Sequence, residues 1–564
     1  MELGDFGAVA WKIYDQTLLE EEPKVFTERI KDDIRDFSPT LIAFNALGIV
    51  HLHEALTTAV PDVPRINMEL QPQCLASNEF RCVSFHRELP DEDTPPVMTF
   101  LWGLGVSEYQ VETYQKAFAD KQSKEEVFKL MGEVDTPEVT FENSFEPDKW
   151  VLPRFLAYSP SFFPNPADWS TSENLKVVGR LKLSKDFQDE QVKRGSKYFS
   201  VGSEYEQCLE FIAKVGPPVY IGWGSMFVYS KEHMTLLAVE AVKRAGEKAI
   251  ILSGWAQLGL DGLEGAPNEE ELRDYCKDNI LFVKAAPHEL LLPQCKLAVH
   301  HGGIGTLQAS LAAACPTIVT PCFSDQFDNG RALTKIGCGA TTTKLGLLKA
   351  DELGDAIRTA CSDASCKAKV QAVADAMAKE DGVGAMVAWM EKFHAEDLAS
   401  GRYKENLLAH KERLYGLREK GKKLSLAQLY AKFQSLLYSR YPALKEWQMR
   451  NMKFMAEASD LSKKGCLWWT QGTSVLARSG EGLKTAEVGR FQRYAFVEEL
   501  ERKGTRIHVR RLKGKGPEKG WVTSTVKGKD MVAKITDATE IGKVVQMQFD
   551  ELFADLTPSA KEED

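Results

Sequence analysis

The stretch "VHHGGIGTLQASLAAACPTIVTPCFSDQFDNG", residues 299–330, decides the fold of this chain. An apolar run ends in two histidines, three glycines follow within four residues, and a helix-like run opens at Thr306. In a parallel sheet, ligands bind at the carboxyl ends of the strands, where a glycine turn and a helix N-terminus expose unpaired N–H groups. The spacing therefore predicts a strand, an anion-binding turn and a helix, in that order.

The same alternation surrounds this stretch. A strand at Val219–Ile221 is followed by a helix from about Lys231, and short apolar runs then alternate with amphipathic stretches. This pattern predicts a doubly wound parallel sheet covered on both faces. The further predicted strands lie in "KAIILSGW", "NILFVKAAPH", "CKLAVHHGG" and "CPTIVTPCF".

The first third of the chain carries a weaker form of the same pattern. Residues 41–44 and the segment "PRINMEL" predict two strands, and the charged residues 107–150 predict a helical excursion. Residues 157–181 are rich in Pro, Ser and Asn, so we expect an ordered loop that leads to a boundary strand. We place the end of the first lobe there.

The last third has a different character. Charged helical sequence gives way to short β runs with turn signals, which predicts a helical connector followed by a small β-barrel. The predicted organisation is an N-terminal lobe, a second lobe, a helical connector, a β-barrel and a polar tail, over residues 1–181, 182–395, 396–465, 466–540 and 541–564.

Composition limits the function classes. A chain of 564 residues is too long for one core, and its net charge of -10 argues against dedicated nucleic-acid binding. No apolar run approaches the roughly 20 residues needed to cross a bilayer, so we expect a cytoplasmic protein. The 11 cysteines include no Cys-x-x-Cys pair, which favours free thiols over zinc ligands or disulfides.

The residues after the two histidines suit a phosphorylated ligand. His301 and the hydroxyl of Thr306 can donate hydrogen bonds, and Gly302, Gly303 and Gly305 let a ligand approach the backbone. No Lys or Arg lies in this loop. A tight turn is the alternative interpretation.

Asp325 and Gln326 follow the next strand, and a carboxylate beside an amide can hold the vicinal hydroxyls of a hexose. A solvated loop is the alternative interpretation here. Together with the glycine turn, the spacing suggests a diphosphate site beside a sugar site.

The segment from Ala286 to Leu333 resembles the donor-binding signature of the GT-B glycosyltransferases, most closely the sterol glucosyltransferase branch. The segments "PPVYIGWGSM", "ILSGW" and "AYSPSFFPNPADW" resemble other recurring parts of that branch, and the resemblance covers roughly residues 30–395. It implies an α/β architecture of two Rossmann-like lobes, in which the truncated N-terminal lobe, residues 1–181, lies on the acceptor side and the second, residues 182–395, is the donor lobe.

The resemblance also implies roles for individual residues. His301, Gly303, Gly305 and Thr306 would meet the UDP diphosphate, with Gly302 in the same turn, and Asp325 and Gln326 would meet the glucose. The remaining donor-binding residues it implies are Gly224 and Ser225 near the phosphates, and Trp255, Ala286, Pro287 and His288 around the uridine.

Simpler roles compete with some of these assignments. Ser225 could instead cap a helix, and Trp255 could instead pack in the core. His288 could instead be only the first residue of a helix. His300 is expected to be structural, because the phosphate contact of the family corresponds to the second histidine.

Three departures from the family pattern matter. Ala309 stands where plant-type members carry a ribose-binding Glu, and Asn329 stands where the sterol branch carries a Trp. The strand, the glycine-rich turn and the catalytic base that open the family domain are not recognisable here, so we expect a truncated gene model or a donor-binding protein that has lost transfer activity. No base follows from the resemblance; His51 and His53 are candidates, with surface histidines as the alternative.

The resemblance implies transfer of glucose from UDP-glucose to a lipid hydroxyl, most specifically a sterol 3-hydroxyl, with inversion and without a metal or other cofactor. Two alternatives stay open. One is a glycosyltransferase of another small natural product, and the other is a non-catalytic scaffold that binds a UDP-sugar.

Residues 474–524 resemble a bacterial-type SH3-like barrel. Alternation places Ile507 and Val509 inward, and the basic residues around them favour a solvated strand face, with contact to a protein, an anionic surface or a membrane periphery as the alternative. These basic residues are Arg506, His508, Arg510, Arg511, Lys513 and Lys515.

Overall fold

The computed structural model describes residues 29, 31–44, 63–70, 76–79, 81, 89, 91–102, 153–169, 175–196, 203–322, 325–409 and 426–552. The chain divides into two compact units. The first unit comprises Met1–Leu75 and Lys121–Lys423, and the second comprises Ala76–Asp120 and Leu424–Asp564. His51, His53 and the predicted excursion at 107–150 lie outside the described residues.

The first unit contains two parallel sheets. The smaller sheet has four strands in the order β1-β2-β3-β4, and the strands predicted at 41–44 and in "PRINMEL" are confirmed as β1 and β2. These strands are β1 (Ile42–Phe44), β2 (Arg65–Glu69), β3 (Arg154–Leu156) and β4 (Leu175–Val177).

The larger sheet has six parallel strands in the order β10-β9-β8-β5-β6-β7. All of the strands predicted between Val219 and residue 322 are present, because continuous apolar runs can be buried from both faces of a sheet. The strands are β5 (Val219–Gly222), β6 (Ala249–Leu252), β7 (Ile280–Val283), β8 (Leu297–His300), β9 (Thr317–Val319) and β10 (Gly339–Thr341).

Helices cover both faces of this sheet. One apolar cluster joins the strands to α3 and α8, and another joins them to α2 and α5. The helices of the first unit are α1 (Lys185–Lys193), α2 (Glu204–Val215), α3 (Lys231–Ala245), α4 (Glu269–Asn279), α5 (His288–Leu291), α6 (Ile304–Ala312), α7 (Gln326–Ile336), α8 (Ala350–Ser362), α9 (Ala364–Met377) and α10 (Gly382–Phe393).

Helix α10 packs against the four-stranded sheet, although it lies inside the predicted donor lobe. Its buried residues Met386 and Phe393 form a cluster with Ile66 and Phe155. An added Cβ on Gly382 would lie 2.5 Å from the carbonyl oxygen of Arg180, so only glycine allows α10 to begin this close to the segment after β4. The chain therefore crosses back to the first sheet.

The ordered loop predicted from residue 157 is present and contacts helix α6. The Ser159 N–H donates to Gln308 Oε1 at 2.7 Å, and the Ser159 hydroxyl donates to Glu380 Oε1 at 2.7 Å. Phe162 is fully buried in a cluster with Leu307. The contacts with Gln308 and Leu307 fix this loop against α6.

The second unit is built around an antiparallel sheet of seven strands in the order β13-β12-β16-β15-β14-β11-β19. Its helices are α11 (Leu426–Arg440), α12 (Pro442–Lys463) and α13 (Ala538–Leu552). Its strands, including the separate β17-β18 pair, are β11 (Leu467–Thr470), β12 (Ser474–Arg478), β13 (Glu487–Gln492), β14 (Phe496–Lys503), β15 (Arg506–Lys513), β16 (Lys519–Thr523), β17 (Thr525–Val526), β18 (Lys529–Asp530) and β19 (Val532–Lys534). No helix in the described part of either unit is long and apolar enough to cross a bilayer.

The polar tail predicted from residue 541 is wrong over its first part. Ile541 and Val544 on α13 are buried against Phe454 and Leu461 of α12. The spacing of three residues between the two apolar positions is typical of a helix face, and this signal identifies α13 in the sequence.

The basic strand β15 is a solvated face only in part, because the Arg510 side chain is 40% exposed whereas Arg506 is not. Arg506 is buried, and its guanidinium donates to the main-chain oxygens of Glu481, Gly480 and Trp521. Ile507 and Val509 are fully buried, as the alternation predicts.

An acidic segment pairs with the basic residues of the second unit. Asp93 Oδ2 lies 2.7 Å from Arg450 Nε, and Asp91 Oδ2 lies 3.4 Å from Lys513 Nζ. Residues 91–93 therefore pack with the second unit, although the predicted N-terminal lobe included them. Charge complementarity between segments far apart in sequence explains the difference.

Replacing Val544 by Asp places a carboxylate in the α12–α13 contact, whereas Met547→Asp changes an exposed position of the same helix. We expect Val544→Asp to destabilise the second unit by about 3 kcal/mol or more, because an unpaired charge would be buried. Thermal unfolding of the whole chain, followed by circular dichroism, checks this. Equal unfolding temperatures for the two variants would contradict the packing of α13.

Candidate functional site

The strand order of the larger sheet reverses between β5 and β8. The connections that leave these two adjacent strands run to opposite sides, and the crevice between them is the usual ligand site of an open α/β sheet. Gly224 and Ser225 follow β5, and residues 301–306 follow β8. The topology thus brings together two loops that lie far apart in sequence.

His300 holds the loop after β8 in place. It is fully buried, its Nδ1 accepts from the Gly302 N–H at 3.0 Å, and its Nε2 lies 3.3 Å from the Ser310 hydroxyl. Gly302 has a φ of +91°, and an added Cβ would lie 2.6 Å from Val319 Cγ1. These contacts fit the structural role expected for His300.

Helix α6 begins at Ile304, two residues before the predicted start at Thr306. No side chain caps it, so its first N–H groups remain available to an anion. Gly305 is exposed in the first turn, and an added Cβ there would meet no atom within 4 Å. This glycine opens onto free space.

His301 lies across from the loop after β5. An added Cβ on Gly224 would lie 3.5 Å from His301 Cε1. Burial, with a smaller contribution from His288, lowers the pKa of His301 to about 4, so the ring is neutral at pH 7. Its buried Nδ1 has no hydrogen-bond partner among the described residues. A neutral ring can offer one N–H to a ligand.

Two of the simpler interpretations, for Ser225 and Trp255, are wrong. Ser225 is exposed and does not cap a helix, because the cap of α3 is Ser230. Trp255 is 77% exposed and therefore does not pack in the core. The main-chain N–H of Trp255 donates to the Gly224 carbonyl at 2.9 Å, which holds Trp255 beside the loop after β5.

Residues Ala286, Pro287 and His288 line a cleft of about 260 Å³. His288 is the first residue of α5, and its Nε2 lies 2.8 Å from the hydroxyl of the buried Tyr220. Burial lowers the pKa of His288. His288 is thus both a helix-start residue and a wall of the cleft, which Gly305 and Ala309 also line.

Asp325 and Gln326 differ in availability. Gln326 is buried, and its Oε1 accepts from the Cys322 N–H at 2.8 Å, so this side chain is already engaged by the protein main chain. Asp325 is partly exposed, and burial raises the pKa of its carboxyl to about 6. Of the two residues predicted to meet the sugar, Asp325 is the better placed.

Asn329 links the two predicted subsites. Its Nδ2 donates to the Gly302 carbonyl at 2.9 Å and to Asp325 Oδ2 at 2.8 Å. In the sequence, Asn329 stands out only because the sterol branch carries a Trp at this position. Its spacing of four residues from Asp325 on a helix was the signal that could have shown the contact.

Comparisons with known proteins fall on this part of the chain. Residues 266–389 match the family described as erythromycin biosynthesis protein CIII-like, C-terminal domain. A sterol 3-beta-glucosyltransferase of Arabidopsis thaliana is 32% identical over 243 residues, which are 43% of this chain and 35% of the relative. A sterol 3-beta-glucosyltransferase of Saccharomyces cerevisiae is 33% identical over 233 residues, 41% of this chain and 18% of the relative.

The matched part of this chain is similar to UDP-dependent glycosyltransferases. The chain covers about a third of the length of the Arabidopsis relative. The solved structure of the calicheamicin glycosyltransferase aligns with 66% of this chain and 77% of its own, with a TM-score of 0.41 and 14% identity.

Gly305→Leu tests whether the cleft at α6 takes the ligand. An added Cβ at this position would meet no protein atom within 4 Å, and leucine is a better helix former than glycine. We therefore expect stability that is not lowered and UDP affinity reduced at least ~10-fold. Gly542→Leu on α13 is the matched control, because an added Cβ there also meets no atom within 4 Å. Calorimetric titration with UDP measures both variants, and equal affinities would remove α6 from the site.

Asp325→Asn tests how much the ionised carboxylate of Asp325 lowers the free energy of unfolding. Because its pKa rises from 3.8 to about 6, the ionised form destabilises the fold above about pH 6, and this penalty disappears as the pH falls toward 4. We expect the variant to gain up to ~3 kcal/mol at pH 7 and to lose affinity for UDP-glucose but not for UDP. Thermal unfolding across this pH range checks the gain, with the exposed Asp274→Asn as control. A gain that does not vary with pH would contradict the assignment.

Proposed function

We propose that this protein transfers glucose from UDP-glucose to the 3-hydroxyl of a sterol, with inversion at the anomeric carbon. The supporting similarity is that of 41–43% of the chain to sterol 3-beta-glucosyltransferases. The observation that carries the proposal is the crevice between β5 and β8, where neutral His301 and the uncapped start of α6 lie beside a carboxylate held by Asn329.

The proposed mechanism uses fixed dipoles. The N–H groups at the start of α6 and one ring N–H of His301 would stabilise negative charge as it develops on the departing UDP. Asp325 would hold the glucose hydroxyls and fix the anomeric carbon for attack by the acceptor. We assign no catalytic base and propose that no metal takes part in the transfer.

A lipid acceptor implies that the transfer takes place at a membrane surface. We propose a cytoplasmic protein that contacts membranes peripherally, with the antiparallel sheet of the second unit as an SH3-like module. Arg450 and Lys513 of this module are already paired with acidic residues, so we do not assign them to a membrane contact.

A second candidate is transfer to another small natural product. The match to the erythromycin biosynthesis family favours it, and so does Asn329 in place of the tryptophan of the sterol branch. Only the acceptor differs between the two candidates.

Incubation of the full chain with radiolabelled UDP-glucose, a sterol panel and a panel of non-sterol alcohols tests the proposal. We expect labelled steryl glucoside, and we expect His301→Ala to lower UDP affinity and product formation at least ~10-fold, because it removes a donor to the diphosphate. His394→Ala, at an exposed position of the same unit, is the matched control. Labelled product only from non-sterol alcohols would select the second candidate, and UDP binding without product would indicate a scaffold.

A further inference from the structure

The cleft beside His288 has a wall that no family motif includes. Arg180, Leu181, Lys182 and Leu183, which follow β4, line it together with Gln188 of α1. The opposite wall consists of residues 286–289 and the first turns of α6. The segment after the first sheet therefore forms half of a cavity whose other half belongs to the predicted donor site.

Arg180 is the buried cation of this wall. Its Nη2 pairs with Glu289, and the two side chains are 12% and 13% exposed. Its Nη1 is buried and has no hydrogen-bond acceptor among the described residues. A guanidinium nitrogen that is hidden from water without an acceptor is costly, unless a bound ligand supplies one.

The backbone around Arg180 is held firmly. Gly179 has a φ of +94°, and the Arg180 carbonyl lies against Gly382 at the start of α10. Glu289 belongs to α5, next to His288, whose ring contacts the buried Tyr220. The guanidinium is therefore placed by packed elements rather than by a mobile surface chain.

The hydrogen-bond donors of the site favour a ligand that brings phosphate or carbonyl oxygens to Arg180. The loop from His301 to Thr306 contains no Lys or Arg, and His288 and His301 both have lowered pKa values. Lys182 also lines the cleft but is exposed. Arg180 thus supplies a buried charged N–H donor that the glycine loop lacks, although its pair with Glu289 is neutral as a whole.

We propose that Arg180 binds the nucleotide donor, with its Nη1 donating to an oxygen of the nucleoside diphosphate while Glu289 orients the guanidinium. This inference rests on the proposed function, because it concerns the same donor site. It adds a binding residue from the segment between the two sheets, where neither the resemblance nor the glycine motif places one.

Calorimetric titration of the full chain with uridine, UMP and UDP tests the inference. We expect Arg180→Met to weaken UDP binding at least ~10-fold, since a hydrogen bond from a charged donor is lost, and Arg180→Lys to weaken it less. Arg244→Met, which removes an equal charge from an exposed ion pair with Asp355, is expected to bind like the unaltered chain. A loss of affinity already seen with uridine would place the Arg180 contact at the base or ribose. A loss of affinity confined to UMP and UDP would place it at a phosphate. Both outcomes support Arg180 as a residue that binds the nucleotide.

A further variant separates binding from folding. Arg180→Met leaves the Glu289 carboxylate buried and unpaired, so the double variant Arg180→Met/Glu289→Gln removes both charges and is expected to fold with the same loss of affinity. Unchanged affinity of the double variant for all three ligands, with His301→Ala still impaired, would overturn the role of Arg180 and leave the proposed function standing. Failure of the unaltered chain to bind UDP would instead overturn the proposed function.

Discussion

The reversal of strand order between β5 and β8 is the constraint on which the rest of the candidate site depends. Two adjacent parallel strands send their connections to opposite sides, and this opens a crevice that packing cannot fill. The loops at this edge of the sheet approach one another closely. Glycine permits this at Gly254, where an added Cβ would lie 2.6 Å from the Gly224 carbonyl oxygen, and at Gly302, which lies against Val319. The result is a concave surface of main-chain donors on a rigid sheet.

Burial then sets the electrostatics of this surface. The His301 ring is kept neutral, while the Asp325 carboxyl is held in an environment that disfavours its charge. Asn329 reduces the penalty at Asp325 by one hydrogen bond, and through the Gly302 carbonyl it couples the carboxylate to the glycine turn. A site that holds a destabilised charge gives up stability for the ability to bind a ligand, as functional sites commonly do.

The second unit uses charge differently. Lys513 and Arg450 form ion pairs with the acidic residues 91–93, and Arg506 is satisfied by carbonyl oxygens inside the sheet. These basic residues therefore form contacts within the unit. Its helices α12 and α13 complete the core that the sheet leaves open on one face.

The sequence by itself determined five strands of the larger sheet, β5 to β9, together with the glycine turn and the start of α3 near Lys231, because apolar runs and glycines act through neighbouring residues. It did not show β10, whose three residues form no apolar run. It did not determine that Arg180 meets Glu289, that α10 returns to the first sheet or that residues 91–93 join the second unit. Those outcomes depend on packing and charge pairing between segments tens to hundreds of residues apart, and no local period encodes such partners. Tertiary structure alone decided which isolated charges would share one cleft.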